Sequence, residues 1–258
     1  MPQTRKSSAV RKNVEIDPKA CIEEGAVLGE NVKVGPFSIV FSGSVLEDAC
    51  VIGSYCVIGH PSKIQLQKAD FSASSPKVAE FLVKEPITRI GKGSIIRSGS
   101  VIYRNVKIGK ELRTGHNVLM REHVTLGDGC VVGTQAILDG YIRVGNRSMI
   151  QSQCYITQSV RIGEGVFIAP NCLFFDNKRI VLGEGLEGST VEDFVRIGGG
   201  TKILPKVVIG KYALIGAGSL VAEDVPPRAV AYGVPAKVRR FQNDNEIKKY
   251  VTSIKGWE

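Results

Sequence analysis

Apolar residues recur at every sixth position along most of this chain. Stepping by six from Ile16 gives Ile22, Leu28, Val34, Val40, Leu46, Ile52 and Ile58. A second run goes from Ile90 to Phe174 and a third from Ile197 to Val221. Of these 28 positions, 27 are apolar, and Thr114 is the exception. Two residues before most of them stands a small or β-branched side chain, as at Ala20, Ser38, Ser94, Cys130 and Ala213. A period of six belongs neither to a helix nor to a plain amphipathic strand. It fits very short strands joined by tight turns, three to a coil, so that residues three hexads apart stack at about 4.8 Å. The pattern predicts an all-β chain folded as a parallel β-helix of hexapeptide repeats, and the period by itself leaves the hand of the coil open.

The repeat sets the expected domain organisation. Residues 1–12 form a basic N-terminal arm, 13–225 the β-helix, and 226–258 a C-terminal segment. Two stretches, 59–89 and 175–196, break the period and read as loops thrown out of the coil. Pro226 and Pro227 end the repeat. Beyond them "NDNEIKKYVTSIKGWE" reads as a short helix N-capped by Asn243 or Asp244, with Ile247, Tyr250, Val251 and Ile254 on one face. Its expected place is over the open end of the core.

Charge adds little to this picture. The net charge is +9, with +4 in residues 1–12 and +4 in residues 226–258, which leaves the body near neutral. Aromatic residues are not interleaved with the basic ones, which argues against a nucleic-acid groove. No apolar run is long enough to span a bilayer, and the first residues have no apolar signal core, so a cytoplasmic protein without membrane insertion is expected. The six cysteines include no CxxC pair. Cys50, Cys56, Cys130, Cys154 and Cys172 share the small-residue phase and read as packing residues in a reducing compartment.

Stacking the hexads sorts the turn residues into three corners. One is charged and rich in glycine, with Lys110, Asp128, Asn146 and Glu164, and reads as a solvated edge. A second carries His116-Asn117, then Thr134-Gln135, Ser152-Gln153 and Pro170-Asn171. The third carries Glu122-His123, Gly140-Tyr141, Gln158-Ser159 and Asp176-Asn177. The last two are mostly uncharged and rich in amides and hydroxyls, as an interface or a site would be. Thr114 breaks the apolar row just before Gly115-His116-Asn117, so the break and the histidine share one turn. Either Thr114 bonds backbone and His116 caps a turn, or His116 acts as a base near neutral pH. Glu122 and His123 stand on the next corner, which two neighbouring chains of a symmetric trimer could bring against His116.

The run from Ile16 to Val238 resembles the left-handed β-helix acyltransferases of the hexapeptide-repeat superfamily. "IDPKACIEEGAVLGENVKVGPFSIV" is similar to the opening coils of UDP-N-acetylglucosamine acyltransferases, while "GVFIAPNCLFFDNKR" and the stretch from Leu186 to Val238 look like sugar N-acetyltransferases acting on nucleotide-linked amino sugars. The resemblance implies a homotrimer with sites between subunits and acetyl-CoA along the C-terminal coils, near Gly216, Ala217, Ala222, Pro235, Lys237 and Arg239. It implies no metal. It puts Glu122 where lipid A relatives have a histidine base, with His123 one residue later. The usual "FTND" order reads "FFDN" here, which transposes Asp176 and Asn177. A Thr-His-Pro typical of galactoside and xenobiotic acetyltransferases is absent, which disfavours those acceptors.

The resulting expectation is transfer of an acetyl or other acyl group from a CoA thioester to an amine of a nucleotide-linked amino sugar. His116, Glu122 and Asn117 are the candidate catalytic residues, and His123, Gln135, Gln153, Asn171, Asp176 and Asn177 the acceptor-binding ones. O-acylation of a sugar and a non-catalytic β-helix scaffold are the alternatives. A γ-class carbonic anhydrase needs two of its zinc histidines five residues apart, whereas His116 and His123 are seven apart and His60 lies at the first loop. "GEGLEG" at 183–188 fits a dinucleotide fingerprint, but it is in a loop and no helix follows it.

Overall fold

The computed structural model describes residues 3–4, 9–10, 12–62, 88–179 and 186–255. The chain divides into two units, Met1–Thr125 and Leu126–Glu258. Each is a stack of triangular coils whose three sides are parallel sheets, here called A, B and C.

In the first unit the strands pair in register at the expected stacking distance in sequence. Sheet A pairs Cys21 with Ile39 and Ile39 with Val57; sheet C pairs Glu15 with Lys33 and Lys33 with Val51. The hexad residue of each strand points inward. Ile22, Leu28, Val40, Leu46, Ile58, Ile90, Ile102 and Met120 are fully or almost fully buried. The same order holds in the second unit, where sheet A pairs Ile137 with Tyr155 and Tyr155 with Leu173, and sheet B pairs Arg143 with Arg161 and Arg161 with Thr190. Most strands bury a single side chain of this row, so burial along the column is what holds the coil.

The small residue two places earlier is more than a spacer. Ser38 Oγ donates to the Gly53 carbonyl at 2.7 Å and accepts the Cys56 N–H at 3.0 Å. Ser148 does the same with the Gly163 carbonyl and the Val166 N–H. A short polar side chain on this column thereby satisfies buried backbone groups at the corner. The cysteines use the same device: Cys130 Sγ donates to the Gly145 carbonyl at 3.3 Å and Cys154 Sγ to the Ala169 carbonyl at 3.2 Å. Five of the six thiols are buried, and all six are free. Burial pushes the Cys50 and Cys130 thiols up to about 11.

Several boundaries differ from the sequence-based expectation. The strand ladder reaches into the supposed N-terminal arm, since Gln3–Thr4 pairs with Cys21–Ile22 and Ala9–Val10 with Val27–Leu28. Arg5, Lys6 and Arg11 lie outside the described residues. The first loop is shorter than 59–89: the strand Val57–His60 precedes it and Thr88–Ile90 follows it, with 63–87 outside the described residues. The second loop ends before Thr190–Val191, a sheet B strand whose Val191 is buried six residues before Ile197. Its residues 180–185, with half of the fingerprint-like stretch, are outside the described residues.

The C-terminal segment departs most. After Pro226 and Pro227 the chain adds one more sheet C strand, Ala229–Gly233, parallel to Leu214–Ile215. It then turns back through Ala236–Phe241, antiparallel to Ala229–Gly233. This hairpin pairs the edge that the last coil would leave open. The helix Asp244–Lys255 begins with a reciprocal cap, Glu246 N–H to Asn243 Oδ1 and Asn243 N–H to Glu246 Oε2, both 3.0 Å. It does not lie over the end of the core. It runs along the corner between sheets B and C: Arg228 bonds Asp244, Gln242 bonds Arg196 and the Tyr212 carbonyl, and the Tyr250 hydroxyl donates to the Gly165 carbonyl at 2.9 Å. Ile254 is buried on that corner. Its apolar face is as expected, and the surface it covers is the flank of the coils.

Candidate functional site

The turn after Arg113–Thr114 is built around a substitution in the hydrogen-bond ladder. Elsewhere the residue after a sheet C strand donates to the inward residue's carbonyl one coil later, as Gly35 N–H does to Ile52 at 2.8 Å. Here Arg97 N–H donates to the Thr114 hydroxyl at 2.9 Å. Thr114 is buried, at 3% exposure. The break in the apolar row is therefore a side-chain oxygen working in the backbone ladder.

On the same turn His116 and Asn117 are exposed. Asn117 has a left-handed backbone, φ 55°, and its N–H donates to the Ser98 carbonyl at 3.0 Å. Its amide folds down over Gly99, where a Cβ would stand 2.0 Å from Asn117 Oδ1. Glycine at 99 is thus what lets the Asn117 amide take this position.

Glu122 and His123 stand on the following corner, with the strand Leu119–Met120 between them and His116. Glu122 is half-buried, and its Oε2 lies 3.3 Å from Arg121 Nε. His123 is exposed with φ 62°. The first unit therefore places the candidate catalytic residues on two successive corners and does not bring them together. His60, at the end of its strand, tilts against Tyr103 at 4.5 Å, and its Nδ1 lies 2.7 Å from the Pro61 carbonyl.

In the second unit Gln135, Gln153 and Asn171 all occupy left-handed corner positions, with φ of 58°, 60° and 61°. Gln153 Nε2 donates to Gln135 Oε1 at 3.2 Å across one coil of that corner. On the other amide-rich corner Asp176 accepts the Thr157 hydroxyl at 2.6 Å, and Asn177 Oδ1 accepts the Arg179 N–H at 3.0 Å. Among the described residues no three His, Cys, Asp or Glu side chains are grouped as a metal ion would require.

The residues expected around the acyl donor are drawn together. Gly216 lies under Tyr232, whose Cβ would be 2.7 Å from an added Cβ. Ser219 Oγ donates to the Gly216 carbonyl at 2.6 Å and accepts the Gly233 N–H at 3.2 Å. Ala217 is exposed, and its N–H group is packed against Gly198. Arg239 sits over the Tyr232 ring, 5.2 Å from its centre, and Lys237 Nζ pairs with Glu223 Oε2 at 3.2 Å, next to Ala222. Pro235 is exposed at the hairpin turn. Tyr232, Ser219 and Glu223 were not singled out from sequence. Ser219 is visible there only as one more small residue of the repeat, and Tyr232 and Glu223 carry no periodic signal.

Clefts of about 460, 500 and 240 Å³ mark the surface of the second unit, and none is lined by a residue expected at the site. Among the described residues no helix is long and apolar enough to cross a membrane.

Residues 188–223 match the bacterial transferase hexapeptide family (six repeats). The chain is 48% identical over 60 residues to the galactoside O-acetyltransferase of Lactococcus lactis subsp. lactis (strain IL1403), covering 23% of this chain and 29% of that protein. It is 44% identical over 66 residues to the galactoside O-acetyltransferase of Escherichia coli (strain K12), covering 26% and 32%. The alignments thus span less than a third of the length of these curated relatives. In structure it is similar to the UDP-N-acetylglucosamine acyltransferase of Arabidopsis, with a TM-score of 0.66 and 19% identity over 91% of this chain and 76% of that one. That likeness shows the fold, a left-handed parallel β-helix with one short C-terminal helix. By its repeat over residues 188–223 and its fold over nearly the whole length, the chain is similar to the hexapeptide-repeat acyltransferases.

Proposed function

We propose that this protein transfers an acyl group, acetyl in the simplest case, from a CoA thioester to an amine of a nucleotide-linked amino sugar, working as a homotrimer. The observation that carries the reading is the donor-end cluster: Gly216, Tyr232 and Arg239 stacked together, with Lys237 on the same hairpin, beside a segment that matches transferase hexapeptides. Lys237 and Arg239 suit the phosphates of CoA as charge-assisted donors. Lys237 must share or give up Glu223 to do so.

In this reading the His116 corner of one copy faces the Glu122 corner of its neighbour, because one chain holds them on separate corners. His116 or Glu122 takes the proton from the acceptor nitrogen as its lone pair attacks the thioester carbonyl. Backbone amides or the Asn117 amide stabilise the oxygen that gains charge. Collapse of the tetrahedral species breaks the carbon–sulfur bond, leaves the amide and releases CoA as the thiol. His123, Gln135, Gln153, Asp176 and Asn177 position the acceptor.

Transfer to a sugar hydroxyl is the second reading, favoured by the O-acetyltransferase names of the two curated relatives. Release of CoA thiol from acetyl-CoA, measured with UDP- and dTDP-linked amino sugars beside their hydroxyl counterparts, separates the two. Turnover with amines alone supports N-transfer, turnover with hydroxyl sugars alone supports O-transfer, and no thiol release with either class contradicts the proposal.

A further inference from the structure

We infer that the outward face of sheet B in the second unit holds a binding site for a phosphoryl anion, a diphosphate or phosphate ester gripped by Arg143 and Arg161. The inference does not depend on acyl transfer. It starts from the register: Arg143 pairs with Arg161, and Arg161 with Thr190, in parallel strands about 4.8 Å apart. Two exposed guanidinium groups are thereby stacked on neighbouring rungs. Like charges directly opposite in a sheet disfavour the pairing.

At two other places on these ladders a carboxylate stands beside the cation. Glu15 and Lys33 occupy neighbouring rungs of sheet C and pair at 2.9 Å. Arg89, whose neighbour on sheet B is Lys107, is matched by Glu47 at 2.9 Å. Among the described residues neither Arg143 nor Arg161 has a carboxylate partner.

The two arginines and Thr190 line a cleft of about 460 Å³. Its wall also holds Glu192, Asp193 and Lys211, and both carboxylates are committed. Glu192 Oε2 accepts the Lys211 N–H at 2.7 Å. Asp193 accepts the Glu164 N–H at 3.1 Å and Lys211 Nζ at 3.1 Å. Arg143, Arg161 and Lys211 against Glu192 and Asp193 leave the cleft one net positive charge, and within it the two arginines are the cations without an ion-pair partner, beside Thr190. Planar guanidinium forks suit phosphoryl oxygens, which each can bond in bidentate fashion. The donor-end cluster belongs to other strands and to the C-terminal hairpin, so this is a separate site.

Calorimetric titration of the whole protein with sodium pyrophosphate at low ionic strength tests the site, with UDP in a parallel arm to distinguish a nucleotide from a free anion as the source. The expected result is saturable binding of pyrophosphate that weakens at least tenfold in Arg143→Gln plus Arg161→Gln, while Lys107→Gln, which removes an exposed charge from the first unit, binds as the parent does. Circular dichroism checks that each variant is folded. UDP bound through the same two arginines makes a nucleoside diphosphate the source; pyrophosphate without UDP makes it a free anion. Absence of pyrophosphate binding, equal weakening by Lys107→Gln, or binding that survives the double substitution overturns the inference.

Discussion

The Thr114 hydroxyl accepts the Arg97 N–H at 2.9 Å, where the repeat elsewhere uses a backbone carbonyl. This explains why the one polar residue in the inward row is a threonine and not a charged or amide side chain. It also fixes the turn that presents His116 and Asn117. Thr114→Val, which keeps shape and removes the acceptor, is expected to cost about 1–2 kcal/mol, and Thr114→Ser, which keeps the acceptor and loses one buried methyl, about 0.8 kcal/mol. Urea unfolding of the two variants checks this. A neutral valine would show that the Arg97 N–H finds the carbonyl without help, and the exception would need another reason.

The cysteine column makes a chemical prediction. Burial raises the Cys50 and Cys130 thiols to about 11, and Cys56 is raised for the same reason. Cys154 is raised by its hydrogen bond with Cys172 and by burial. Cys21 alone is half-buried. A thiol reagent at pH 8 should titrate at most one group in the native protein and all six in guanidinium chloride. Rapid reaction of several thiols in the native state would mean that the coils open locally.

The C-terminal helix should respond to acid at its first turn. Bonding to Arg240 and to the Asn243 N–H lowers the Glu246 carboxyl from 4.5 to about 2. A carboxylate lowered by folding stabilises the fold above its unfolded value and loses that contribution as the pH falls toward the folded one. The difference in melting temperature between the parent and Glu246→Gln should therefore be present at pH 7 and shrink between pH 4.5 and about 2. A difference that does not change with pH would point to capping geometry alone.

The same helix is anchored by Tyr250. Its hydroxyl donates to the Gly165 carbonyl at 2.9 Å, and the Arg196 guanidinium lies 4.7 Å from the ring centre. Tyr250→Phe removes only the hydroxyl and should cost about 1 kcal/mol. Tyr250→Ala removes the packing as well and should cost about 3–5 kcal/mol if the flank does not close over it. Far-ultraviolet dichroism shows whether the helix survives each change. An alanine variant no less stable than the phenylalanine variant would mean that the ring is not what holds the helix.

Legibility in the sequence followed the period. Wherever a residue belongs to a hexad, its burial was readable in advance, from Ile22 to Val221. Val191 is out of phase with Phe174, because the insertion between them does not keep a multiple of six, and only its spacing of six from Ile197 marks it. Pro226 and Pro227 end the hexads, but a hairpin along the final edge depends on backbone pairing with Leu214–Ile215, for which the side chains give no period. The amphipathic helix was visible in Ile247, Tyr250, Val251 and Ile254, but its partner was not, since Gly165 and Arg196 are far away in sequence. At the site, the period assigned His116 and Glu122 to successive corners. Which corners meet across copies is a property of association, and no single-chain periodicity encodes it.

The most direct test of the account is complementation between subunits. His116→Ala and Glu122→Ala are each expected to lower acyl transfer by about 10²–10⁴-fold if they remove the proton acceptor or its partner across the interface. The two variants, unfolded together and refolded as mixed trimers, should regain a substantial fraction of CoA thiol release, because some interfaces then carry an intact His116 from one copy facing an intact Glu122 from the other. Two inactive variants whose mixture stays inactive, or variants as active as the parent, would contradict a site shared between neighbouring chains.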